Sequence, residues 1–294
     1  MRKLKLGLAL GAGGTKGAAH VGVLGVLERA GIPVDMVAGT SIGSLYGGVY
    51  AAGHSVQEMD EGIRTQPPGD VVNFFRHRLK IRHNNRLARR FYEALAGHHI
   101  EQLPIKYSAT ASDIVEHRSV TITSGPIIDA IEASIAIPLI ARPVAHQGRY
   151  LLDGGFWDSA PVDAALDLGA DVVVSVELGD PFTLPERLRA PAAWFAGKLR
   201  DLDLSRTLAG VPFTINAVAH ELPPVPQAHI VIRPDVQKFR GNSPFHMTRC
   251  LEAGAAAAEE ALPLIRAALA GQPLPVQATQ PAAQPRFAVD PGLA

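Results

Sequence analysis

Gly11-Ala12-Gly13-Gly14-Thr15-Lys16-Gly17 lies between an apolar run, Leu4–Leu10, and a stretch rich in alanine, valine and leucine that ends near Ala30. A short apolar run closed by glycines reads as a buried strand, and the stretch beyond it as a helix from about Thr15 to Ala30. The same order then repeats. Val34–Ala38 reads as a second strand, Gly39-Thr40-Ser41-Ile42-Gly43 as a sharp turn, and a helix runs on towards Ala52. Two strand–loop–helix units in succession predict an α/β fold with a mainly parallel sheet. Loops at the carboxyl ends of neighbouring parallel strands lie side by side, so the glycine loop and Ser41 should meet in space.

Composition sets outer bounds. A chain of 294 residues, 47% hydrophobic and 19% charged, has the balance of a globular protein with a sizeable core. Its formal net charge of zero argues against nucleic acid as a main partner. Cys250 is the single cysteine, so no internal disulfide can form. Arg2, Lys3 and Lys5 ahead of an apolar run imitate a secretion signal, but glycines interrupt the run and it reaches Lys16 too soon. Strand plus loop is the better reading. With no continuous apolar stretch of the ~20 residues that span a bilayer, a cytoplasmic protein is expected.

Past the Ser41 helix, residues 54–106 lose the strand–helix rhythm and read as a helical cap inserted over the core. A basic run starts in it, Arg76-His77-Arg78-Leu79-Lys80-Ile81-Arg82, and continues through Arg86, Arg89 and Arg90. It fits peripheral contact with anionic headgroups at a membrane surface, or, as charge runs more often do, a solvated helix face. Ser108–Val115 and Ser119–Thr123 read as strands joined by a turn at Glu116–Arg118, with a helix after them to about Ile135. Arg149–Leu152 is a short strand leading into Asp153-Gly154-Gly155. Ser159–Leu168 reads as a helix, Asp171–Glu177 and Ile230–Arg233 as strands, and His246–Ala270 as a long closing helix. Residues 272–294, dominated by Pro, Gln and Ala, are expected to be a disordered tail.

Three segments carry chemistry. Gly-x-Ser-x-Gly at a strand-to-helix junction is the pattern of a nucleophile elbow, which lifts a serine hydroxyl above the sheet on a tight turn. Gly39 and Gly43 would keep that turn uncrowded, and the helix N-terminus places partial positive charge beside it. Ser41 could instead be a helix N-cap. The glycine loop reads two ways. As a dinucleotide fingerprint it has Asp35 at about the right distance, but Ala12 breaks the register, and Lys16 lacks the Ser or Thr of a phosphate loop. As an oxyanion cradle, Gly13 and Gly14 let backbone N–H groups approach a substrate oxygen. Lys16 would then assist electrostatically or anchor the loop. For a base, the eleven histidines offer no obvious strand-end candidate. Asp153, at a strand end before two glycines, can accept a serine proton directly or can simply form a turn.

Taken in order, Gly13–Gly17, Gly39–Gly43 and Asp153–Gly155 resemble the patatin-like phospholipase family over roughly residues 4–270. Ala133–Pro138 and Pro143-Val144 resemble that family's connector before the aspartate. The resemblance implies a three-layer α/β/α domain with a mainly parallel central sheet and a helical cap. It also implies a serine acyl hydrolase acting on lipid or other esters, without metal or cofactor. Ser41 would be the nucleophile and Asp153 the general base. Gly13, Gly14 and the backbone of Ile42 would form the oxyanion hole, with Lys16, Gly17, Gly39, Gly43, Gly154 and Gly155 in support. Ala12, Asp158 and Ser159 depart from the family pattern. A binding or regulatory protein on the same fold is the alternative. Apolar stretches at Pro191–Ala196 and Gly210–Val218 read first as core, or else as lining for an acyl channel or as contact with a bilayer.

Overall fold

The structure is a computed structural model that describes residues 2–76, 81, 85–116, 118–137, 141–179, 229–241 and 243–273. Most of the basic run, both apolar stretches at 191–196 and 210–218, and nearly all of the tail lie outside the described residues.

Strand β1 (Leu6–Leu10) sits at the centre, parallel to β2 (Met36–Thr40) on one side and β7 (Val172–Val176) on the other. Every residue of these three strands is buried, which is why they read as continuous apolar runs. β8 (His229–Ile232) extends the parallel set beyond β7, and β3 (Lys106–Asp113) extends it beyond β2. The other margin is antiparallel. β4 (Arg118–Ile122) and β6 (Arg149–Asp153) both pair with β3, and β5 (Val144–His146) forms a hairpin with β6.

The two faces of the sheet differ in side-chain size. Leu6, Leu8, Leu10 and Val37 point to the large core, formed with α1 (Ala18–Arg29), α2 (Ile42–Ala51) and α8 (Met247–Leu269). Ala9, Ala38 and Val173 face the other way and pack on α7 (Val162–Asp167), closing the third layer. α1 is apolar nearly all round because it is buried between the sheet, α8 and α3 (Val56–Thr65). α3, α4 (Pro68–Arg76) and α5 (Arg86–Leu95) make up the cap. α6 (Ile127–Ser134) leads back to the sheet. Among the described residues, no helix is long and apolar enough to cross a membrane.

Register explains how distant segments meet. β4 runs along one edge of β3 from Ala109 to Asp113, so β2 and β6 must share the other. β2 arrives with Thr40 opposite Thr110, and β6 arrives from the opposite direction with Asp153 opposite Ala111. The two strands therefore end head to head beside adjacent residues of β3. Ser41 is the next residue after Thr40, so it emerges beside Asp153.

Candidate active site

Ser41 occupies the turn between β2 and α2 with φ 54° and ψ −123°, a backbone state that costs a non-glycine residue on the order of 1–3 kcal/mol. Neighbouring groups hold it there. The Ser41 N–H donates to Ser134 Oγ at 2.9 Å, and that hydroxyl donates in turn to the Thr110 carbonyl at 2.6 Å. Ser44 Oγ donates to the Ser41 carbonyl at 2.6 Å. Space is as tight as the bonding. A β-carbon on Gly39 would lie 2.5 Å from the Ser44 nitrogen, and one on Gly43 would strike the Leu10 carbonyl.

Asp153 closes the pair: Ser41 Oγ donates to its Oδ2 at 2.5 Å. The other carboxylate oxygen accepts the Gly155 N–H at 2.9 Å, which sets the plane of the group. Gly154 lies so close to the Thr110 carbonyl that a methyl group there would collide with it. The aspartate is 1% exposed, and burial pushes its pKa up to about 7 despite the bonds from Ser41 and Gly155. A carboxylate ordinarily titrates near ~4. This one changes its charge near neutral pH.

The glycine loop is fastened on both sides of Gly13 and Gly14. Gly11 N–H donates to the Val176 carbonyl at 3.0 Å, Ala12 N–H to Ser159 at 2.9 Å and Thr15 N–H to Gly241 at 2.7 Å. Lys16 is buried, and its ammonium donates to the Leu178 carbonyl at 3.0 Å. Among the described residues, the N–H groups of Gly13 and Gly14 find no backbone acceptor. Gly14 has φ +59°, and a side chain there would strike the Gly241 carbonyl. Gly17 packs directly on the side chain of Ile42, joining the loop to the first turn of α2. The N–H of Ile42, at the start of that helix, has no partner within it. Asp35 settles the nucleotide alternative. It bonds the N–H of Leu6, at the end of β1 opposite the glycine loop, far from any phosphate the loop could hold.

Two contributors escaped the sequence reading. Ser134, inside the connector-like stretch, holds the elbow by its hydroxyl. His20 is fully buried in α1; its Nε2–H donates to the Gly11 carbonyl at 2.8 Å, while Nδ1 has no partner among the described residues. Burial lowers its pKa to about 4, so it stays neutral and serves as a strut beneath the loop. A single polar residue within the apolar run Ala18–Leu27 was the available signal, since a buried polar group needs a partner.

Ser41, Ile42, Gly14 and Thr15 line a cavity of about 380 Å³ together with residues of α2 and the cap. Its walls are mainly apolar, from Leu45 and Tyr46 on α2 to Met59 and Ile63 on α3 and Phe74 and Phe91 beyond. Among the described residues, no group of three or more His, Cys, Asp or Glu side chains is placed to hold a metal ion.

Residues 8–166, just over half of the chain, match the family model for patatin-like phospholipase. This chain belongs to the patatin-like phospholipase family. An uncharacterized NTE family protein of Mycobacterium tuberculosis is 33% identical over 202 residues, covering 67% of this chain and 56% of its own length. The lysophospholipase nte1 of Aspergillus fumigatus is 34% identical over 181 residues, covering 59% of this chain and 12% of the fungal protein. The chain thus spans just over half the length of the mycobacterial relative and a small part of the fungal one. Among solved structures, VipD from Legionella pneumophila aligns with a TM-score of 0.49 at 17% identity, covering 90% of this chain and 67% of that one.

Proposed function

We propose that this patatin-like chain is a serine acyl hydrolase that cleaves fatty-acyl esters of phospholipids or lysophospholipids through Ser41 and Asp153. The observation that carries the reading is the 2.5 Å hydrogen bond from the hydroxyl of an elbow serine to a buried carboxylate. Asp153 takes the proton as Ser41 Oγ attacks the ester carbonyl carbon. The N–H groups of Gly13, Gly14 and Ile42 receive the oxyanion, each such donor being worth roughly 3 kcal/mol in the transition state. As the tetrahedral intermediate collapses, the ester C–O bond breaks and the leaving alkoxide takes the proton back from Asp153. Water enters, gives a proton to the same carboxylate and attacks the acyl-serine. The fatty acid leaves and Ser41 recovers its hydrogen. A likeness in name supports the substrate class: the fungal relative is a lysophospholipase. The catalytic unit is taken as residues 4–270, with 54–106 as its cap.

The test is covalent labelling with a fluorophosphonate, read by intact mass and peptide mapping. Labelling of the wild-type chain at Ser41, absent in Ser41→Ala, is the expected result. An unlabelled wild-type chain that also hydrolyses no ester overturns the reading in favour of a binding protein on this fold.

A further inference from the structure

The cavity leading from Ser41 runs along α2, and its far end is polar and open to solvent. Ile42, Leu45, Tyr46 and Val49 succeed one another at helical spacing along α2 and all line it. The cavity therefore runs with the helix axis away from the elbow. Eight residues at ~1.5 Å each place Val49 about 12 Å along that axis from Ser41. Past Val49 the chain turns at His54 and returns as α3, so this turn stands at the far end. There His54 Nε2–H donates to the Ala94 carbonyl at 3.0 Å, and His54 Nδ1 lies 3.7 Å from the Glu58 carboxylate. Glu58 is fixed in its turn. It closes the capping box of α3, accepting the Ser55 N–H at 3.1 Å while Ser55 Oγ accepts its own N–H at 3.2 Å. Both His54 and Glu58 line the cavity. The two side chains are 36% and 67% exposed, so a hydrocarbon end arriving there leaves the apolar wall for water, an imidazole and a carboxylate.

The sides point the same way. Between α3 and α5 the lining includes Glu61, Gln66 and Arg90, with Arg90 donating to Gln66 Oε1 at 3.2 Å. A side exit for an alkyl chain would have to pass these polar groups. Gly62, mid-way along α3, also lines the cavity, and a β-carbon there would meet nothing within 4 Å. A glycine inside a helix weakens it relative to alanine. Here it leaves free width on the ligand side.

Resting on the acyl-hydrolase reading above, we infer that this cavity is a ruler for one acyl chain of about ten carbons, with Val49, Gly62 and the His54–Glu58 pair setting its length. An extended chain of ~1.5 Å C–C bonds advances roughly 1.25 Å per carbon, so about 12 Å takes about ten.

The test is kcat/KM for a series of p-nitrophenyl esters from four to sixteen carbons, each assayed below its aggregation limit. The wild-type chain is expected to gain up to about fourfold per methylene, the equivalent of ~0.8 kcal/mol, to a maximum near ten carbons and then to fall. Val49→Phe and Gly62→Leu should both move that maximum to shorter chains by two or more carbons. Gly62→Leu introduces a good helix former into open space, so it answers the question even if Val49→Phe fails to fold. Activity that keeps rising to sixteen carbons, or a maximum unmoved in Gly62→Leu, overturns the ruler and leaves the hydrolase standing. Absence of hydrolysis at every length together with absence of fluorophosphonate labelling removes both.

Discussion

Around Ser41, backbone touches backbone: Gly43 lies on the Leu10 carbonyl, Gly154 on that of Thr110, and Gly14 on that of Gly241. None of these positions has room for a methyl group. Over the same cavity the cap is built from amphipathic helices that meet through side chains, and Gly62 of α3 faces open space. On the mechanism proposed above, the floor fixes where the reacting atoms sit, while the cap fixes what shape of ligand lies above them. Small changes to the floor should damage the chemistry and the fold together. Changes to the roof should alter selection.

One methyl group, placed in each region, gives the sharpest contrast. On the floor, Gly43→Ala drives a β-carbon into the Leu10 carbonyl, where only a shift of β1 or α2 relieves it. We expect a loss of about 3 kcal/mol or more in urea unfolding, with hydrolysis falling alongside as the glycine loop moves off the elbow. Next in size is the response to acid. With its pKa pushed up to about 7 by burial, Asp153 is protonated below that pH and, as the proposed base, idle. The value of kcat/KM should drop tenfold per pH unit below about 7 and level off above it, because that ratio reports the free enzyme. On the roof the methyl group has the opposite sign. Gly62→Ala should raise stability by up to about 1 kcal/mol, since it removes backbone freedom from the unfolded chain and strikes nothing. Equal destabilisation by both alanines would erase the distinction between floor and roof.

The parallel heart of the sheet was legible because its strands are buried on both faces and read as unbroken apolar runs between glycine loops. Gly13–Gly17 and Gly39–Gly43 marked their own places for the same reason. The antiparallel margin was harder. β5 is three residues long, too short for an alternating pattern to stand out. That Asp153 meets Ser41 depends on β6 abutting β2 along β3, a matter of register that local sequence does not encode. Ser134 was hidden because a serine at the end of a helix has many ordinary uses. The stripe Ile42–Leu45–Tyr46–Val49 could be seen, but core and ligand channel look alike at helical spacing. Only the empty volume beside it separates them.

Asp153→Asn, assayed for ester hydrolysis and thermal unfolding at pH 8 on one preparation, bears most directly on the Ser41–Asp153 pair. Because the carboxyl pKa is raised in the folded state, its contribution to stability is full at pH values below its unfolded pKa and is lost as pH rises through about 7. A neutral amide escapes that penalty. A proton shared by the two residues predicts a roughly 10⁴-fold loss of kcat, the scale seen when a serine hydrolase loses its partner carboxylate, together with a higher melting temperature than the wild-type chain. Hydrolysis within about tenfold of wild type in a normally folded Asp153→Asn chain would contradict it.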